Sequence, residues 1–438
     1  MNKVSGHDRP SVGPRTALGL ALAAMCAWGS AGIAPLRDAA GGAVAPSDLP
    51  TDFVPAARRW RGEPPGIDVV AGNREAARAG APSFVELGTP YRAHPPPAVM
   101  LVAPLVPLGF AGAALAWLGL SLLSLAALAW IVTGVVVPRG EQRFVRALVV
   151  FAVLAVWPPV LHNFEKGQWS LPIAALLALA WAAAARGWDR RAGVLIAAAG
   201  CFKVMPFLLL GAFLPRPSRW RVLAGAAGAT GLLVGLSALV LGPGYWRDFV
   251  ASAGSNSAGW QTAPANPMSL WGALARFVVG GPYARSIAGG SAVLARVAWA
   301  VGAAGLLAIA LRLSVRETRA AREAPPSAAT WAAWSALTAI LGPLSWTHTA
   351  TWLVLPMALL AGQALRTGSA PTRSHTLVAL AVAGILMTIP RQSLFALAGP
   401  WPASPSRGLA LGLHLAGALT VFAVASASGR HQRQGAVP

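Results

Sequence analysis

The chain is predicted to be an all-α polytopic membrane protein of about ten transmembrane helices, with a large first extracytoplasmic loop. Three observations predict this. Hydrophobic residues make up 55% of the 438 residues and charged residues only 11%, against about 25% charged in a soluble domain. The apolar runs are long enough to cross a bilayer, which takes about 17 to 25 residues per helix, and they lack the period-two alternation of a transmembrane barrel. Finally, the basic residues gather in the short connections between apolar runs. The formal charge of +21 therefore reads as membrane orientation under the positive-inside rule. Nucleic acid, the usual partner of so basic a soluble domain, is not expected.

Spans are predicted over 15–34, 113–136, 144–161, 170–186, 219–241, 291–312, 328–342, 348–366, 375–390 and 408–427. The first is long enough to span, and no Ala-x-Ala site follows it, so it reads as an uncleaved helix. Placing residues 1–14 in the cytoplasm makes the connections alternate. The inside segments then hold 20 Lys and Arg and the outside ones 13, and the stretch 35–96 balances seven Arg with seven acids. That stretch carries half of the chain's 14 acids. The membrane domain is 15–427, with outer loops at 35–112 and 242–290 and a polar cytoplasmic tail at 428–438. Cys26 and Cys201 both fall in apolar runs and read as packed thiols.

Two segments depart from simple spans. Residues 191–214 are bounded by Arg190-Arg191 and by Arg216, Arg219, so both ends should face the cytoplasm. Pro206 would break a helix between them. A re-entrant hairpin with Lys203 near its tip is predicted, since broken helices occur at membrane depth where they line a cavity. Residues 95–110 are apolar but short and Pro-rich, and read as an interfacial helix.

Polar residues beside or inside spans are costly and often functional. Five groups stand out: Thr51-Asp52-Phe53; Tyr91-Arg92-Ala93-His94-Pro95; His162-Asn163-Phe164-Glu165-Lys166-Gly167-Gln168, with Lys203 beyond it; Asn266-Pro267-Met268-Ser269-Leu270; and Pro343-Leu344-Ser345-Trp346-Thr347-His348. Each has a bland reading. Asp52 could cap a helix, Trp346 could anchor at the interface, and Glu165-Lys166 could be a solvated pair. Lys203 resists one, because a lysine in an apolar segment needs an anion, water or carbonyls. Walker A, dinucleotide-binding and His-Glu-x-x-His motifs are missing from the chain. So is an Asp-x-Asp pair, so no metal or other cofactor is expected. A donor is better sought among lipid-linked monophosphates, whose charge Lys, Arg or His can neutralise.

Taken in order, these groups resemble glycosyltransferase family 87, polytopic transferases of the GT-C type, over about residues 15 to 366. The carriers are Asp52-Phe53, Pro95-Pro96, Gly167-Gln168, Lys203, Asn266 to Leu270, and Pro343 to His348. The chain departs from the family pattern at His94, where an aromatic is usual. It also departs at Val54-Pro55, at the Val204-Met205 that separates Lys203 from Pro206, and in the extra residue between Asn266 and Ser269.

The resemblance implies a GT-C-type bundle with interfacial and re-entrant helices. It implies an inverting, multi-pass enzyme of the cytoplasmic membrane with its site facing outside. Such an enzyme moves a sugar, commonly mannose, from a polyprenyl-phosphate donor to a glycolipid or glycan acceptor. In that reading Asp52 is the catalytic base, with Glu165 the next candidate. Lys203 and His348 bind the donor phosphate, and His94, Gln168, Asn266 and Trp346 contact sugar or acceptor. The alternative is a secondary transporter or lipid flippase, for which broken helices and an intramembrane lysine are also expected.

Overall fold

The computed structural model describes residues 48–80, 94–136, 142–258, 267–280, 286, 290–367, 369–389 and 412–431. The predicted span at 15–34, the segment 1–14, most of the tail and parts of both outer loops lie outside the described residues. No strand occurs among the described residues.

In the first outer loop, α1 (Pro50–Trp60) opens on a proline, whose missing N–H has no helical partner to lose there. α2 (Val69–Arg78) is capped by Asp68, which accepts the Ala71 N–H at 2.9 Å. Arg61 lies 2.7 Å from both Glu63 and Glu75, and ties the end of α1 to α2. That guanidinium holds the Glu63 carboxyl below the usual carboxylate range.

α3 (Pro96–Val102), a 3₁₀ turn at Ala103–Leu108 and α4 (Gly109–Val136) form one apolar stretch of 41 residues. The interfacial helix expected over 95–110 is thus resolved into two pieces. α3 is buried against α1 and the helix at 219–241, and Pro104 and Pro107 hold the rest in a tight turn. The expected helix over 144–161 is also two, α5 (Arg143–Ala155) and α6 (Pro158–Lys166), bent by 69°. Pro158 and Pro159 lack N–H groups and push Trp157 to an extended conformation. Gly167, at φ 65°, ends α6 in the left-handed conformation that favours glycine.

α7 (Ser170–Ala184) leads to α8 (Asp189–Phe202), which stops at Lys203, an extended residue at φ −145°, ψ 127°. A 3₁₀ segment, Met205–Ala212, returns the chain to α9 (Arg219–Leu241). Asp189 at the start of α8 lies 3.4 Å from Arg221 at the start of α9, so both ends of this segment sit at one end of the bundle. The 14 residues of α8 reach about 21 Å at 1.5 Å per residue, which sets Lys203 well away from them. α10 (Pro243–Ala258), the short α11 (Leu270–Leu274) and α12 (Ala292–Ala320) follow. Then come α13 (Ala328–Ile340), a 3₁₀ segment at Thr347–Leu353, α14 (Val354–Thr367), α15 (Ala370–Thr388) and α16 (Leu413–His431).

α13 is the centre. Every residue from Ala329 to Ile340 is buried, as expected of a helix that is apolar all round. Its alanines let neighbours come close, and Trp331 and Trp334 fill the remaining space, with Trp334 Nε1–H bonded to Ser314 Oγ at 2.8 Å. Three described stretches are long and apolar enough to cross a membrane, Pro96–Val136, Arg219–Leu241 and Ala292–Ala320, with α5 and α6 together making a fourth. The figure of ten spans rests on the sequence.

α8 and α9 meet through glycine. A Cβ on Gly193 would fall on the Val222 carbonyl, and one on Gly225 on the Arg190 carbonyl. Small residues at such crossings let backbones approach closely. Because the obstacle is backbone, it cannot rotate away. Gly193→Ala and Gly225→Ala are each expected to lower stability by about 1–3 kcal/mol or more. Gly228→Ala, on the same helix with no atom within 4 Å, is the control and should be neutral or stabilising. Thermal unfolding of detergent-solubilised variants measures this.

Candidate active site

The first-loop helix α1 delivers two carboxylates one turn apart. Asp52 is 1% exposed and Asp48, just before the helix, is 9% exposed. Burial of a carboxylate is tolerated only when hydrogen bonds replace its water. Asp52 meets this with two partners: Trp169 Nε1–H donates to Oδ2 at 2.9 Å, and His94 Nδ1 lies 3.1 Å from Oδ1 and 3.0 Å from Oδ2. Asp48 accepts from the Gln168 side-chain amide through Oδ2, and its N–H donates to the Lys166 carbonyl at 2.8 Å.

Each partner stands on a rigid support. His94 precedes Pro95-Pro96-Pro97, which restricts its backbone and begins α3. Gln168 and Trp169 lie between the left-handed Gly167 and α7. The Trp169 ring is fixed between Trp117 of α4, at 4.4 Å and 77°, and Phe202 of α8, at 4.6 Å and 34°. Edge-to-face and tilted pairs of this kind add about 0.5–1.5 kcal/mol each beyond their burial. Since Phe202 is followed directly by Lys203, the packing that orients the Asp52 carboxylate also fixes the hairpin tip.

Lys203 Nζ lies 3.3 Å from His348 Nε2 and is within electrostatic reach of Asp48 and Asp52. His348 is buried at the start of the 3₁₀ segment after α13. Its ring stacks on His162 at 5.7 Å and lies 5.8 Å from the half-buried Trp346. His94, His162 and Lys166 also lie within electrostatic reach of His348. Glu165 points outward, 3.3 Å from His162 Nδ1 and 3.4 Å from Lys166 Nζ. The Asn266 segment is anchored to the same place: Met268 N–H bonds the Ser345 carbonyl at 3.1 Å and Ser269 Oγ the Gly342 carbonyl at 2.6 Å. Asn266 itself lies outside the described residues.

The fold thus gathers Asp52, His94, Gln168, Lys203, Trp346 and His348 from five separate stretches into one cluster. It adds Asp48 and Trp169, which the motif reading passed over, and His162, which that reading quoted but gave no role. The signals were present: Asp48 stands four residues before Asp52, and Trp169 follows Gln168. Several buried polar atoms here bond to no described residue, namely Gln168 Oε1, Ser170 Oγ and His348 Nδ1. Buried polar groups normally find partners, so a polar ligand or water belongs among them.

The opposite end of the bundle is arginine-rich. There Arg216, 1% exposed, pairs with Glu317 at 2.5 Å and reaches the Ala324 carbonyl, closing the hairpin's return onto α12 and the entry to α13.

An apolar helical bundle thus gathers two carboxylates, three histidines and a lysine at one end. The chain belongs to glycosyltransferase family 87, whose family model matches residues 93–325, more than half of its length. It is a glycosyltransferase, and so takes a sugar donor and an acceptor. The matched stretch holds His94, Gln168, Lys203 and Asn266, while Asp52, Trp346 and His348 join them through the fold. No curated protein and no solved structure matches the chain.

Trp169→Phe keeps an aromatic ring between Trp117 and Phe202 but removes one of the hydrogen bonds on Asp52. A hydrogen bond to a charged group is worth about 1.5–3 kcal/mol. Turnover is expected to fall about 10- to 100-fold with little change in melting temperature. Steady-state sugar transfer and thermal unfolding of the same preparation check it.

Proposed function

We propose that this glycosyltransferase is an inverting, GT-C-type enzyme of the cytoplasmic membrane. It moves mannose from a polyprenyl-phosphate donor to a glycolipid or glycan acceptor at the outer face. One observation carries the reading: the buried carboxylate of Asp52 lies within electrostatic reach of the Lys203–His348 pair. Transfer with inversion needs a base on one side of the anomeric carbon and charge stabilisation at the leaving group on the other.

The acceptor hydroxyl oxygen attacks the anomeric carbon and its proton is drawn off by base catalysis that depends on Asp52. The bond from that carbon to the phosphate oxygen breaks, and its electron pair leaves with the polyprenyl phosphate. Lys203 and His348 meet the charge that grows on that oxygen. An ammonium and an imidazole suit a monophosphate. Gln168, Trp346, Asn266 and His94 border the sugar and acceptor. A lipid donor accounts for a site sunk in the end of an apolar bundle, since the sugar then approaches from the membrane.

The outward orientation is supported by charge. The arginine-rich end faces the cytoplasm under the positive-inside rule, which leaves the site at the other face.

Purified protein in lipid nanodiscs, given labelled polyprenyl-phosphate mannose and a glycolipid acceptor, is expected to release polyprenyl phosphate. Asp52→Asn should lower the rate by at least about 10²-fold with donor affinity kept. Release from no polyprenyl-phosphate sugar, arabinofuranose included, would overturn the donor class.

Lys203→Met is expected to raise the donor dissociation constant about 10- to 100-fold, the equivalent of one charge-assisted hydrogen bond. Donor affinity unchanged in a folded variant would make Lys203 structural.

A further inference from the structure

We propose that the group that takes the acceptor's proton is His94, through Nε2, and that Asp52 acts behind it as the positioning and charge-balancing carboxylate. The inference rests on the proposed transfer reaction and assigns a residue within it.

The geometry of the pair sets the roles. Asp52 is 1% exposed, and both of its oxygens face protein donors: Oδ2 accepts from Trp169, and His94 Nδ1 spans the two. At 1% exposure, with its donors packed on it, this carboxylate presents almost no surface to an acceptor hydroxyl. A carboxylate accepts and does not donate, so the Nδ1 facing it carries the ring proton. Neutral imidazole then presents its lone pair at Nε2, on the far side of the ring. That nitrogen bonds to no other described residue. His94 also lies within electrostatic reach of His348, so it borders the Lys203–His348 pair from the Asp52 side. The three prolines that follow hold its backbone in place.

The chemistry balances. The hydroxyl proton passes to Nε2 as the oxygen bonds to the anomeric carbon, and the departing polyprenyl phosphate takes the electron pair of the broken bond. Asp52 stabilises the imidazolium formed, which then returns its proton to water. The products are glycosylated acceptor, polyprenyl phosphate and one proton. A carboxylate that orients and charge-balances a histidine base is a general solution in catalysis.

The test uses the full-length enzyme, with wild-type release of polyprenyl phosphate established first. Failure there would fall on the function and not on this assignment. His94→Gly is expected to lower turnover about 10²- to 10⁴-fold with donor affinity unchanged. Added imidazole should restore at least tenfold of the loss, and the rescue should vanish when Asp52→Asn is added. His94→Asn keeps an N–H for Asp52 but has no group at the Nε2 position, so it should be as slow as His94→Gly. It also serves where the glycine variant fails to fold. Turnover within a few-fold of wild type in His94→Asn or His94→Phe would overturn the proposal and return the base to Asp52. A folded His94→Gly enzyme with no imidazole rescue would do the same.

Discussion

The structure turns on keeping a carboxylate in a bundle that excludes water. Asp52 places a carboxylate in a setting that offers almost no solvent, so the polar groups around it have to donate or to be positively charged. Trp169 and His94 supply the first and Lys203 the second. These three come from different parts of the chain. Their supports, the Trp117–Trp169–Phe202 stack and the proline run at the start of α3, are therefore positioned by that one requirement. Remove the carboxylate and the tryptophan N–H, the imidazole and the ammonium all lose a common partner. The cluster is one electrostatic unit, and single changes within it should not add independently.

The hairpin is the second half of the same constraint. A lysine can reach the carboxylate end only if the chain enters from the arginine-rich end, stops and returns. Helix α8 stops because Lys203 goes extended and Pro206, two residues into the next turn, cannot continue the helical ladder. Return is secured at the other end by the Asp189–Arg221 and Arg216–Glu317 pairs. The glycine crossing holds α8 and α9 close together, and Phe202 at the end of α8 packs on Trp169.

Much of this was legible in the chain because it is written in charge and in proline. Lys203 inside an apolar run and basic residues at both ends of 191–214 announce a segment that turns back. Asp52, His94, Gln168 and His348 each interrupt apolar sequence at a span's edge, and five such interruptions in family order pointed to one site. What was not legible depends on rotation about helices and on side-chain reach. Trp169 reads as one more apolar residue until its ring is seen wedged between Trp117 and Phe202 with its N–H aimed at Asp52. Asp48 reads as a loop acid until Gln168 folds onto it. The bend at Pro158-Pro159 was available in principle, but an unbroken apolar run outweighed it. For 95–110 the proline content pointed to a short element, and hydropathy said nothing of what would cover it. α3 is covered by α1 and α9, which lie far away in sequence.

One compositional fact gains meaning only with the fold. The chain has three lysines against 32 arginines, a bias that by itself carries no chemistry. Yet both lysines among the described residues, Lys166 and Lys203, lie at the carboxylate end, whereas the arginines occur at both ends, with Arg190, Arg191, Arg216, Arg219 and Arg221 clustered at the other. Arginine is permanently charged and prefers planar, bidentate partners such as the Glu317 and carbonyl oxygens around Arg216. Lysine carries a compact charge on a flexible stem and binds a phosphate as a point charge. In the proposed reaction the site accepts a phosphate, follows its oxygen as the bond breaks and then lets the product go, a task the second suits better. On that proposal Lys203 stands where the geometry of the partner changes during the reaction, and Arg216 where the partner is fixed.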